Sequence, residues 1–126
     1  MNNITQIDNR VVRYYLNKWG HLERNFYDLS PIEEVRAKTL YSSLKNLDKS
    51  DLQLLADKYR TEKTKGKKSH NDLDMADKYN MTIKDYRIKR IAVESKLNPY
   101  LQRNIELYSE ELSEAIRMQH SKIQYR

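Results

Sequence analysis

Asn71-Asp72-Leu73-Asp74-Met75-Ala76-Asp77-Lys78-Tyr79-Asn80-Met81-Thr82-Ile83-Lys84-Asp85-Tyr86-Arg87-Ile88-Lys89-Arg90-Ile91-Ala92-Val93 is the stretch on which the reading of this chain turns. Leu73, Ala76 and Tyr79 mark a short helix, started by the capping logic of Ser69-His70-Asn71-Asp72. Asn80-Met81-Thr82 then reads as a tight turn, because Asn tolerates the left-handed conformation that such turns need. Thr82, with Asp85 three residues on, caps a second helix expected to reach about Leu97. Two helices joined by so short a turn match the helix–turn–helix pattern.

Just upstream lies Thr61-Glu62-Lys63-Thr64-Lys65-Gly66-Lys67-Lys68-Ser69, a basic stretch with no apolar anchor. From Lys58 to Val93 there are eleven bases and five acids, a surplus of +6 that equals the net charge of the whole chain. The other 90 residues carry 13 bases and 13 acids. A charge run is usually a solvated face. Beside a helix–turn–helix it also suits phosphate contacts, and a pI near 9.4 argues for a polyanionic partner.

Working outward, 126 residues suffice for one domain with a modest core, not for a large enzyme cleft. Two glycines, two prolines and apolar residues at helical spacing predict an all-α chain of about five or six helices. The expected order within one domain, residues 1–126, is N-terminal helices over 1–57, the basic loop and helix–turn–helix over 58–97, and a C-terminal helix over 98–126. Alternating strand signals are absent, and no apolar run would span a bilayer. Met1-Asn2-Asn3-Ile4 does not begin a signal peptide. The lack of cysteine fits a reducing cytoplasm and removes thiolate metal sites and a Cys nucleophile.

Over residues 9–27, Val12, Tyr15, Trp19, Leu22 and Phe26 form one helical stripe. Gly20 inside it costs about 1 kcal/mol against Ala and leaves room for a bend. Ser30-Pro31-Ile32-Glu33 starts the next helix, with Ile32, Val35, Leu40, Leu44 and Leu47 toward the core. Glu33 and Glu34 fit a first helical turn without any catalytic role. Asp48 caps a third helix with a stripe of Leu52, Leu55, Ala56 and Tyr59. Asn98-Pro99 is expected to end or kink the helix that reaches Leu97 and to start the last one. That last helix carries Leu101, Ile105, Tyr108, Leu112 and Ala115, a seam for packing on the N-terminal helix or for dimerisation.

The helix after Thr82 admits two registers. Burying Ile83, Tyr86, Val93 and Leu97 carries Arg90 into the core, which is costly for an unpaired charge. Burying Ile88, Ile91 and Ala92 instead projects Tyr86, Arg87 and Arg90 together. The desolvation argument selects the second. Arg87 and Arg90 then suit bidentate contacts to guanine edges, while Lys84, Lys89 and the loop lysines Lys63, Lys65, Lys67 and Lys68 grip phosphates.

Tyr86-Arg87-Ile88-Lys89-Arg90-Ile91-Ala92, placed after a short helix and a Met-Thr turn, resembles the late-gene transcription activators of phages of Gram-positive bacteria, the ArpU/RinA type. The likeness covers about residues 47–97, and Asn80 stands where the turn usually has Gly. It implies a helix–turn–helix similar to the promoter-reading region of sigma factors and sequence-specific binding of double-stranded DNA. It also implies host RNA polymerase as a partner and the bacterial cytoplasm as the site of action. Thr82, Tyr86, Arg87 and Arg90 fall in the matching region and, with the lysines named above, are the expected DNA contacts.

Nothing else in the chain points to chemistry. His21, His70 and His120 lack metal-ligand spacing, Gly20 and Gly66 are isolated, and no Ser has the glycines of a nucleophile elbow. The expectation is a DNA-binding regulator, not an enzyme, with no cofactor, no metal and no membrane partner. A protein-interaction module and a structured-RNA binder are the competing classes.

Overall fold

The computed structural model describes residues 8–60 and 70–124, which among themselves form helices and no strand. These are α1 (Arg10–Arg24), α2 (Pro31–Leu44), α3 (Lys49–Tyr59), α4 (Asp72–Lys78), α5 (Ile83–Leu107) and α6 (Ser109–Gln124). The chain is all-α, as its spacing predicts.

Local chemistry accounts for the helix starts. Ser30 Oγ accepts from the Glu33 amide at 3.2 Å while Glu33 Oε1 accepts from the Ser30 amide at 3.0 Å, a complete capping box ahead of Pro31. Asp48, Asn71 and Thr82 cap α3, α4 and α5 by accepting from the amides of Asp51, Asp74 and Asp85. The cap of α4 is Asn71, whose side-chain carbonyl oxygen accepts from the Asp74 amide at 2.8 Å; Ser69 lies outside the described residues. At the other end of α4, Asn80 takes φ 55°. The Met81 amide returns to the Ala76 carbonyl at 2.9 Å and the Asn80 amide to Asp77 at 3.1 Å. This paired closure satisfies two end carbonyls and aims the chain into α5.

The centre of the fold is α5, which touches every other helix. Its 25 residues make a rod of roughly 37 Å. The core gathers Val12, Leu16 and Trp19 of α1, Leu40 and Leu44 of α2, Leu54, Leu55 and Tyr59 of α3, and Tyr86, Val93, Leu97 and Leu101 of α5. Pro99 does not end α5, which continues through it to Leu107, and no new helix starts there, contrary to expectation. A proline inside a helix costs about 3 kcal/mol. Leu97 and Leu101 flank it fully buried, each worth about 1.5–3 kcal/mol. Asn98 Nδ2 adds bonds to the Asp8 carbonyl and Asn9 Oδ1, both at 3.0 Å. Packing outweighs propensity here.

Three further expectations change. α1 runs through Gly20 unbroken and stops before Phe26, which is exposed. The break comes at Tyr108, so the C-terminal seam is divided between α5 and α6. α6 packs on α2 and α5, with Lys38 Nζ on Glu111 at 2.7 Å. No helix among the described residues is long and apolar enough to cross a membrane.

Candidate nucleic-acid interface

Residues Tyr79–Thr82 join α4 to α5, and the exposed face of the first turns of α5 is the surface singled out by the charge pattern. The register on that helix is the reverse of the one expected. Tyr86 is 0% exposed, and Arg90, Val93 and Leu97 are buried, whereas Ile88 is 59% and Ile91 45% exposed. Ala92 is exposed as well.

The reason is that Arg90 enters the core paired. Its Nη1 donates to Glu94 Oε2 at 2.8 Å and its Nη2 to Asp72 Oδ2 at 3.2 Å, while its guanidinium lies 6.0 Å from the Tyr86 ring centre. The penalty for an unpaired buried charge therefore does not apply. Burial opposes the Arg90 charge, but the Glu94 contact outweighs it and raises its pKa. Tyr86 stacks on Tyr79 at 6.4 Å, and burial lifts its hydroxyl to about 12. Tyr86 and Arg90 are therefore core residues and leave the outward set.

Around Arg90 a polar network joins four helices. Glu94 also accepts from Tyr59 Oη at 2.8 Å and Arg13 Nη1 at 3.3 Å. Asp72 accepts from Lys58 Nζ at 2.9 Å and Arg87 Nε at 2.8 Å. Burial alone would raise the Asp72 carboxyl, but hydrogen bonds from Arg87 and Lys58 and the Arg90 charge hold it down to about 2. Lys58 Nζ also caps the His70 carbonyl at 2.7 Å, so α3 and the entry to α4 are tied together.

The network redistributes the basic segment. Lys58, Arg87 and Arg90 are paired to Asp72, Arg60 to Glu23 at 3.1 Å, and Lys78 to Asp57 at 3.3 Å. Asp57 also receives the Tyr79 hydroxyl and Gln53 Nε2. Part of the linear surplus is thus balanced in space by Glu23, Asp57 and Glu94, acids outside the segment counted from Lys58 to Val93.

What α5 offers outward is Lys84, Asp85, Arg87, Ile88, Lys89 and Ile91. Lys84 and Lys89 make no ion pair among the described residues, and Arg87 keeps 56% of its side chain in solvent while bound to Asp72. Thr82 is exposed, but its hydroxyl oxygen is occupied by the Asp85 amide at 3.0 Å. Lys63, Lys65, Lys67 and Lys68 lie outside the described residues. Sequence reasoning missed Asp72, Glu94, Lys58 and Arg13. One signal was present, the spacing of four between Arg90 and Glu94, which places them together on a helix.

Comparison of the chain with family models, curated proteins and solved structures finds no match.

Proposed function

We propose that this protein binds double-stranded DNA through the outward face of α5 and acts as a transcription regulator. The observation that carries the reading is the division of α5 into two faces. One is fixed in the core by Tyr86, Arg90 and Val93, and the other presents Lys84, Arg87 and Lys89 beside a short turn from α4. A helix held this way can lie in a major groove with its early residues at base edges. Lys84, Lys89 and the lysines of residues 61–69 supply phosphate contacts, which position the protein without specifying sequence. That the regulated genes are phage late genes, and that host RNA polymerase is a partner, rests on the resemblance of the run from Tyr86 to Ala92. Pairing of two copies through α6 or α1 is part of the same reading.

The test is retention of the chain on duplex DNA across a salt series. Affinity should fall steeply with salt, in proportion to the phosphates neutralised. Lys84→Ala and Lys89→Ala should weaken binding to all sequences alike. Absence of any salt-dependent retention near 0.1 M salt would sink the proposal. A second reading, a protein-interaction module, draws on the exposed Leu73, Ile88 and Ile91 of the same helix pair. Recovery of a stoichiometric protein partner without DNA retention would favour it.

A further inference from the structure

Arg87 is the outward cation on α5 whose guanidinium is anchored. Its Nε donates to Asp72 Oδ2 at 2.8 Å. Asp72 cannot follow Arg87 freely, because Lys58 Nζ holds its Oδ1 at 2.9 Å and Arg90 Nη2 shares its Oδ2 at 3.2 Å. Both of these partners are themselves buried, and the Asp72 side chain is 14% exposed. The carboxylate is thus a fixed post, and only one edge of the Arg87 guanidinium is attached to it. Nη1 and Nη2 make no hydrogen bond among the described residues and belong to a side chain open to solvent.

A guanidinium has five N–H donors in a rigid fork. With Nε engaged, the pair left for a bidentate contact is the terminal one. Guanine presents two acceptors, N7 and O6, in the major groove at the spacing such a pair can bridge. A phosphate would also accept two N–H groups, so what favours a base edge is the apolar surroundings of Arg87 and the fixed direction that Asp72 gives its donors. The neighbours at the next outward positions, Ile88 and Ile91, are apolar and suit base edges better than a charged backbone. Resting on the DNA-binding reading above, we propose that Arg87 reads a guanine edge through Nη1 and Nη2, with Asp72 as the positioning residue that orients it.

The experiment starts from duplexes selected by the full-length protein out of a random-sequence library. Each guanine of the selected site is then replaced in turn by 7-deazaguanine, which lacks the N7 acceptor. The wild-type chain should lose about tenfold in affinity at one position. Arg87→Ala, which removes both donors, should show no loss there, and Arg87→Lys, which keeps the charge but not the planar fork, a smaller one. Asp72→Asn should blunt the same discrimination while holding random-sequence duplex at least as tightly as the wild type, since it removes a negative charge beside Arg87. Its thermal melt is recorded alongside, and if it does not fold, Arg87→Lys and Arg87→Ala carry the test. A 7-deazaguanine effect that survives undiminished in Arg87→Ala overturns the inference, as does equal weakening of selected and random DNA by that variant. Selective binding with no sensitivity to 7-deazaguanine likewise overturns it while leaving DNA binding standing. A library that yields no enriched sequence and no salt-dependent retention overturns the DNA reading itself.

Discussion

Arg90 donates to Glu94 across one turn of α5 at 2.8 Å, and neither side chain has more than 10% of its surface in water. The pair decides which face of α5 is inside. It is also a junction, since Glu94 collects Tyr59 of α3 and Arg13 of α1 while Arg90 reaches Asp72 of α4.

Removing one partner leaves the other buried with fewer compensating contacts, Glu94 with Tyr59 and Arg13, or Arg90 with Asp72. Arg90→Ala and Glu94→Ala should each lower stability by about 3–5 kcal/mol in urea unfolding near neutral pH. The double change Arg90→Met with Glu94→Leu should recover most of that loss, because it removes both charges while keeping volume. A single substitution that costs less than about 1 kcal/mol would show that the pair is not buried as described.

Asp72 makes the acid limb of stability predictable. Its carboxyl is held at about 2 when folded, against 3.8 for the ordinary group. A depressed folded pKa means that the stabilisation is fully present above the unfolded value and is lost as pH falls from 3.8 toward 2. Asp72→Asn should be less stable than the wild type at neutral pH, with the two proteins converging near pH 2. Parallel stability curves across the whole range would contradict this assignment.

Tyr86 separates a core role from a surface role. Its hydroxyl is buried without a hydrogen-bond partner among the described residues. Deleting it in Tyr86→Phe should leave stability unchanged or raise it by about 1 kcal/mol, since an unsatisfied polar group is removed. Tyr86→Ala should cost about 3–5 kcal/mol by emptying the space against Tyr79. Thermal or urea unfolding of the two variants gives the answer. A DNA-contacting surface tyrosine would show the opposite, with little effect on stability and a loss of affinity for either change.

Ile88 and Ile91 provide the matching control on the other face. Both are substantially exposed, so Ile88→Ala and Ile91→Ala should each change unfolding free energy by no more than about 0.5 kcal/mol. A loss of 2 kcal/mol or more for either would place that residue in the core and reverse the register again.

The helix starts were readable because their chemistry is local. Ser30, Asp48 and Thr82 each act on an amide three residues away, and the turn at Asn80 depends on the conformational tolerance of one side chain. The face of α5 was not readable by the same means. Its decisive contact, Arg90 to Asp72, joins residues 18 apart on different helices, and a cost computed for an unpaired arginine omitted the acids that pair it. Pro99 misled for a related reason. Propensity describes a helix in water, whereas α5 is gripped on its flanks by core leucines and by Asn98 against Asn9. Of the outward set, Lys84, Arg87 and Lys89 were named correctly as exposed, while Tyr86 and Arg90 were not.

The bonds from the start of α1 to the middle of α5 have a consequence for how the chain is made. Asn9 Nδ2 meets Ser95 Oγ at 3.1 Å across 86 residues, and Arg13 meets Glu94 across 81. At a synthesis rate of roughly 5–20 residues per second, α1 waits about 4 to 17 seconds before that partner has been translated. Its contacts with α2 and α3 can form sooner, but the face toward α5 stays open until then. The nascent chain is therefore most vulnerable to capture by chaperones, or by another copy, before α5 emerges from the ribosome.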